Sequence, residues 1–477
     1  MGRYENRKSP PQKKQCTRLE ITSKWSWDEI KGAKLPDQRF NKSLAKVCYD
    51  IHQQAGVSFS RACGNGRKAV HRLMKTTEVT PEDILAGHSQ QTMCRARKYP
   101  FFLAASDTTS FDYTSHKACT GLGPIASHPN TQGFLTHSVL AISTSGIPLG
   151  VIYQESWTRS KETFGQSKQQ KNRPESEKES YKWTKALQGV ESVLELQDEV
   201  LLIQDREADI VTFLQEPRRA KTHLLIRSSS PRKILVNNKV KNLWEVSYCA
   251  PVVAQKQFSI KFKKGKEFIN REVDLTLRCT RVEILPPAYV KSEHPNPIVW
   301  VICAREENPP QGEKAIEWIL LSTFPVLDGQ TALDMVTFYT YRWLIERFHY
   351  VLKSGVGMEK LQMDDCESLM KALSFYSIVA WRLLYLTYIA RERPETPALN
   401  FFEELSLRIL STYMGKTIDT IGDAVAVIAH IGGFRACPSA PRAGLKSLWL
   451  GLRRLDGMEV GWQLAMATFA AKDTGQD

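Results

Sequence analysis

Two apolar runs, each ending in an acid, restrict this chain more than any other feature. In "FFLAASDTTSFDY" the run Phe101–Ala105 leads to Asp107, and in "VLLIQDREADI" the run Val200–Ile203 leads to Asp205. A short, unbroken apolar run reads as a strand buried on both faces. A carboxylate at the end of such a strand is poorly solvated unless it has a partner. Between the two runs lie "HSVLAIST" (137–144) and "PLGVIYQESW" (148–157), two strands joined by a Ser-Gly turn, and a helix in "ESYKWTKALQGVESVLELQ". A short helix through Leu214 and the strand "HLLIRSS" follow Asp205. The β-β-β-α-β-α-β order implies a mixed α/β sheet with carboxylates at strand ends.

The flanking text differs in character. Residues 1–20 are polar and basic with adjacent prolines, as expected of a basic flexible tail. Residues 21–99 have helical spacing, and "TPEDILAGHSQQT" opens a helix with Thr80 as N-cap, Pro81 at the first helical position and Asp83 three residues after the cap. Residues 160–180 carry nine charges and few apolar side chains, as expected of a mobile loop. From about 231 to 325, period-two segments such as "NREVDLTLRCTRVEIL" predict a β-rich insertion with a very basic turn, "KKGKE". Residues 359–477 return to helical patterns.

The charge favours a polyanionic partner. Lys and Arg number 65 against 51 Asp and Glu, a net charge of +14, and each basic contact to a phosphate releases counterions. The ten cysteines include no C-x-x-C pair, as expected of reduced thiols in a cytoplasmic protein. The most apolar run, Ser377–Ala390, is 14 residues long and contains Arg382, so it predicts a buried helix and no membrane span.

"YTYRWLIERFHYVLKSG" (339–355) reads as one helix. At 100° per residue, Tyr339, Arg342, Glu346 and Lys353 fall within a sector of about 60°. Glu346 follows Asp205 by 141 residues, and Asp205 follows Asp107 by 98. Three carboxylates on rigid elements could hold Mg²⁺, which takes hard oxygen ligands, for phosphoryl transfer. Each acid alone has an ordinary explanation as a turn, cap or surface-pair residue, and Asp209 or Glu207 in "QDREAD" competes with Asp205.

"ASDTTSFDY", "QDREADI" and the 339–355 stretch resemble the three acidic motifs of DDE transposases of the insertion-sequence "IS-four" family, the last with the Tyr-(2)-Arg-(3)-Glu-(6)-Lys spacing. "EKESYKW", "IRSS", "NPPQGEKAIEWILLSTFPV" and "IGGF" extend the resemblance along nearly the whole chain after the tail. The resemblance implies an RNase H-like mixed-sheet catalytic core over 100–358, carrying the β-rich insertion and flanked by a helical DNA-end-binding domain (21–99) and a helical C-terminal dimerisation region (359–477). It implies that Asp107, Asp205 and Glu346 bind Mg²⁺ or Mn²⁺, two ions per site. Tyr339, Arg342 and Lys353 would hold the phosphate backbone, joined by Arg227, and Trp318 would stack on a flipped base. Arg39, Lys42, Arg72 and Lys75 fall at or near DNA-contacting positions, and Trp449 and Leu452 in the dimerisation segment. His349, one position off the signature, would be a packing or backbone-contact residue.

The implied activity is cut-and-paste transposition by a bacterial, nucleoid-associated protein. Ends of double-stranded DNA would be nicked, closed into hairpins, reopened and joined to target DNA by a homodimer bridging two ends. A nuclease of the same core that cuts without joining, and a non-catalytic DNA-binding regulator, are the rival readings.

Overall fold

The computed structural model describes residues 24–53, 59, 63, 67–125, 130–161, 174–264, 267–287, 294–437 and 442–473, with side chains undescribed at 260–270 and 470–473. The basic tail, most of the 160–180 loop and the tip of the "KKGKE" turn lie outside these residues.

The architecture is mixed α/β: one large mixed sheet with helices at both ends of the chain. Its strands are β1 (Phe102–Asp112), β2 (Gly123–Pro124), β3 (Gln132–Ile142), β4 (Pro148–Trp157), β5 (Val200–Gln204) and β6 (Thr222–Arg227), followed by β7 (Lys233–Val236), β8 (Lys239–Asn242), β9 (Val252–Lys264), β10 (Glu267–Ile284), β11 (Ile298–Glu306) and β12 (Glu317–Ser322). They lie in the order β2-β3-β1-β5-β6-β12-β11-β10-β7-β8, with β4 on β3 and β9 on β10. β1, β5 and β6 are parallel, and every other pairing is antiparallel.

β1 is longer than the apolar run predicts. It continues past Asp107 to Asp112, because β3 pairs with it from Leu103↔Ile142 to Asp112↔Gly133. On its other side the parallel pairing with β5 stops at Ala105↔Ile203. Asp107 therefore lies inside a strand, but beyond the end of its parallel neighbour. At Gly133 the two strands come so close that a Cβ would stand 1.9 Å from the Phe111 carbonyl oxygen.

The β-rich segment is fused to the rest of the sheet. β12 pairs with β6 through Leu320↔Arg227, Leu321↔Ile226 and Ser322↔Leu225, so twelve strands form one sheet. The segment also contains one helix, Leu243–Cys249, capped by the Asn242 side chain.

The described N-terminal helices are α1 (Lys24–Ile30), α2 (Gln38–Gln53), α3 (Arg67–Lys75) and α4 (Pro81–Ala96). At the start of α4, Thr80 Oγ1 accepts from Asp83 N (3.2 Å) and Asp83 Oδ2 accepts from Thr80 N (3.0 Å), the capping box expected from the sequence. These helices share the core of the sheet. His88 Nε2 of α4 accepts from Val151 N of β4 (3.0 Å), and His88 Nδ1 meets buried Glu29 of α1 at 2.5 Å.

Three further helices frame the site and its continuation: α5 (Lys182–Glu191), α6 (Val211–Gln215) and, after Leu243–Cys249 as α7, α8 (Gly329–Thr340). α9 (Trp343–Tyr350) precedes α10 (Cys366–Glu392), α11 (Glu404–Met414), α12 (Ile421–Ile431) and α13 (Leu445–Asp473). α10 is long and apolar enough to cross a membrane, yet 89% of its most apolar window is buried against α2, α4, β4 and α12. It is a core helix, as the run Ser377–Ala390 predicts. Cys48, Cys94, Cys119, Cys249, Cys279, Cys303 and Cys366 are free thiols.

Candidate functional site

The three acids arrive by different routes. Ala105 and Ile203 are register partners, and Asp107 and Asp205 each stand two residues beyond them, so both project to one face. Asp205 caps the turn Arg206–Ala208, accepting from Glu207 N at 2.9 Å. Glu346 comes from α9, which packs on β1 and β3.

Burial pushes the Asp107 carboxyl up from 3.8 to about 6. The Thr108 backbone N–H (2.8 Å) and the Arg342 charge oppose that rise, while the charges of Asp205 and Glu346 add to it. The three carboxylates and Arg342 thus share one electrostatic neighbourhood. Arg342 Nη2 donates to Glu346 Oε1 at 2.5 Å, one helical turn along.

Hard oxygen donors of this kind suit Mg²⁺ or Mn²⁺. Among the described residues, however, no three His, Cys, Asp or Glu side chains stand close enough to form a metal shell. Glu346 is engaged by Arg342 instead. The donor chemistry fits a divalent cation, and the shell is open.

The competing acids have other partners. Asp209 is buried, ion-paired to Arg232 (2.5 Å) and accepting from Ser229 N (2.7 Å). Glu207 is exposed and pairs with Lys182 at 3.1 Å.

The stretch 339–355 is not one helix. α8 ends at Thr340, a tight turn passes through Tyr341 and Arg342, α9 follows, and Val351–Gly355 widens into a π turn. The two irregularities break the even 100° spacing, so the predicted stripe divides. Arg342 and Glu346 face the aspartates, and buried Tyr339 shares the electrostatic neighbourhood of Arg342, Arg227 and Asp205. Lys353 stands over the Phe111 ring (5.6 Å) with Glu359 4.0 Å away. Phe111 lies on the Asp107 face of β1, about 13 Å further along the strand.

Arg227 leaves the end of β6, and its Nη2 donates to the Glu317 carbonyl of β12 (3.2 Å). Burial lowers its pKa, as do the charges of Arg206 and Arg342, against the pull of Tyr339. Next to Glu317, half-buried Trp318 sets its ring 6.0 Å from that of Tyr339, tilted by 58°. Trp318 is therefore beside the signature residues and also part of the sheet's packing. His349 is buried, and burial pulls its pKa down to about 3.

One aromatic at this site escaped the reading of the sequence. Trp343 is 56% exposed at the first turn of α9, directly after Arg342.

The distal predictions divide as well. Lys42 and Arg72 are exposed, but Arg39 pairs with Asp37 (2.6 Å), and Lys75 bridges Asp364 (3.1 Å) and Asp365 (2.6 Å) ahead of α10. Lys75 is a tie between α3 and α10. Leu452 is buried, and half-buried Trp449 packs against the core beside Gly355. The exposed apolar side chains of α13 are Leu450, Val460, Trp462, Leu464, Met466 and Phe469.

No protein-family model matches the chain. Among solved structures, it is similar to the piggyBac transposase in a cryo-EM synaptic complex with hairpin DNA. The identity is 12%, the TM-score 0.33, and the match covers 84% of this chain and 70% of that one.

Proposed function

We propose that this chain is a cut-and-paste DNA transposase with an RNase H-like core, acting as a homodimer on double-stranded transposon ends and target DNA. The observation that carries the reading is the meeting of Asp107, Asp205, Glu346 and Arg342 from three distant stretches of chain. Asp107, Asp205 and Glu346 would hold Mg²⁺ or Mn²⁺, which when bound would promote attack by water or a 3′-hydroxyl on phosphorus and offset charge on the leaving oxygen.

The remaining work falls to the chain's own side chains. Arg342 offers a planar fork that can bond two phosphate oxygens once it leaves Glu346. Arg227, Tyr339 and Lys353 would hold the backbone of the same DNA end. Trp318 would stack on a base turned out of the duplex, a contact worth about 1–3 kcal/mol. The open apolar side of α13 would join two copies, so that two ends are cut together.

The test uses the inverted repeats flanking the gene as substrate. Glu346→Gln should bind these ends like the parent and cut none of them with Mg²⁺ or Mn²⁺. Normal cleavage by that variant would sink the assignment. Cleavage by the parent without joining of a pre-nicked end to target DNA would replace a transposase by a nuclease.

A further inference from the structure

One pocket lies outside the proposed chemistry. It has a volume of about 330 Å³ and lies between the end of α10, α12 and the start of α13. Its lining is apolar at Val425, Phe434 and Leu448 and basic at Arg391, Arg442 and His430, and none of its described lining residues is acidic. Its size is that of a small-ligand site, typically about 300–1,000 Å³.

Two of these cations, Arg391 and Arg442, lie close enough for each to feel the other's charge. Arg391 donates to the Ala443 carbonyl (2.9 Å) and stands over the Tyr388 ring (5.3 Å). Burial first, then the charges of Arg442 and Arg347, hold Arg391 below the ordinary guanidinium range against the pull of Tyr388 and Glu392. Arg347 follows Glu346 on α9 and lies over the ring of Tyr350, which is 55% exposed. An arginine thus stands over a tyrosine ring both on the helix of Glu346, as Arg347 with Tyr350, and beside the pocket, as Arg391 with Tyr388. Arginine beside an exposed ring suits unpaired nucleic acid, because every base has a face to stack and every link a phosphate. An acidic peptide would use the arginines but not the rings.

The geometry points to the pocket of Arg391 and Arg442 as a binding site for unpaired DNA, one base resting on the apolar lining and its phosphates on Arg391, Arg442 and Arg347. Only the origin of that strand, a DNA end opened at the carboxylates, rests on the transposase reading.

The test measures fluorescence anisotropy of a labelled single-stranded oligo-dT with the full-length chain. Two variants leave the core intact: Arg442→Ala removes an exposed cation, and Ala426→Trp fills the pocket from an exposed position. Arg442→Ala should lower the slope of log affinity against log salt by about 0.7, one phosphate contact. Ala426→Trp should weaken binding on the order of tenfold, the loss of one stacked base. Unchanged circular dichroism and melting would establish that both variants fold. Normal oligo-dT binding by Ala426→Trp would overturn the proposal, as would displacement of the DNA by poly-glutamate at equal concentration. A parent that binds oligo-dT in this way yet cuts no transposon ends would refute the transposase reading and leave the pocket assigned.

Discussion

Asp107→Asn should stabilise the fold while destroying activity. The native carboxyl is raised from 3.8 to about 6, chiefly by burial. A rise of that size corresponds to roughly 3 kcal/mol of penalty against the charged form. The sign follows from proton counts. Between about pH 4 and 6 the native Asp107 keeps its proton while the unfolded chain has lost it, so stability falls as pH rises through this window. Above pH 6 the penalty is complete, and the amide escapes it. The gain from Asp107→Asn should therefore be near zero at pH 4 and reach about 2–3 kcal/mol at pH 7.5. Thermal and urea melts at both pH values read it directly. Asp198 supplies the opposite case: burial raises it, but the bond to Arg97 (2.9 Å), the Glu195 backbone N–H (2.8 Å) and the charges of Arg97 and Arg219 together outweigh burial and hold it below the ordinary range. Asp198→Asn should destabilise at pH 7.5. Mn²⁺ should raise the melting temperature of the parent and not of Asp107→Asn, because a ligand stabilises only a state that binds it. If Asp107→Asn melts below the parent at pH 7.5, the carboxylate is not penalised and the electrostatic account of the site fails.

The other expectations concern separate parts of the molecule. Arg72→Ala should reduce the salt slope of DNA-end binding by about 0.9, whereas Lys75→Ala, already tied to Asp364 and Asp365, should leave it unchanged; equal effects would return Lys75 to the DNA surface. Trp318→Ala should spare the first nick and slow hairpin formation in a gel assay, and equal loss of both steps would make it a packing residue only. Gly133→Ala should lower stability by at least about 1–3 kcal/mol, since its Cβ meets a backbone carbonyl that cannot turn aside; a melt identical to the parent would contradict the close β1–β3 approach.

The sheet elements most visible in the sequence were those whose burial is uniform along the strand. Val200–Gln204 is buried at every position and ends one residue before Asp205, and Pro148–Trp157 has the predicted bounds. β1 reads too short because Thr108, Thr109 and Ser110 are polar and only half buried, and their strand conformation depends on pairing with β3. The break at Tyr341–Arg342 has no proline or glycine to announce it, so helical spacing carries straight through. That break, with the π turn at Val351, is why Lys353 faces Phe111 and Glu359. The two aspartates drew notice as ends of apolar runs, although Asp107 lies inside β1, beyond the end of its pairing with β5. The ion pair of Glu346 with Arg342 and the ties of Lys75 could not be anticipated, because a charged side chain's partner is set by packing between distant elements.

The pairing of β6 with β12 also bears on how the chain reaches this fold. Arg227 and Leu320 are neighbours across 93 residues of sequence. Closing so long a loop costs about 4 kcal/mol of chain entropy beyond a constant. The strands between them pair with near neighbours in sequence: β9 with β10, β10 with β11, and β11 with β12. Such a meander can form early and shorten the effective loop before β12 docks on β6. On that order of events, Arg227 meets Glu317 only in a late docking step. A mutation at the far β9–β10 hairpin could then slow the placement of Arg227, a residue that it never touches.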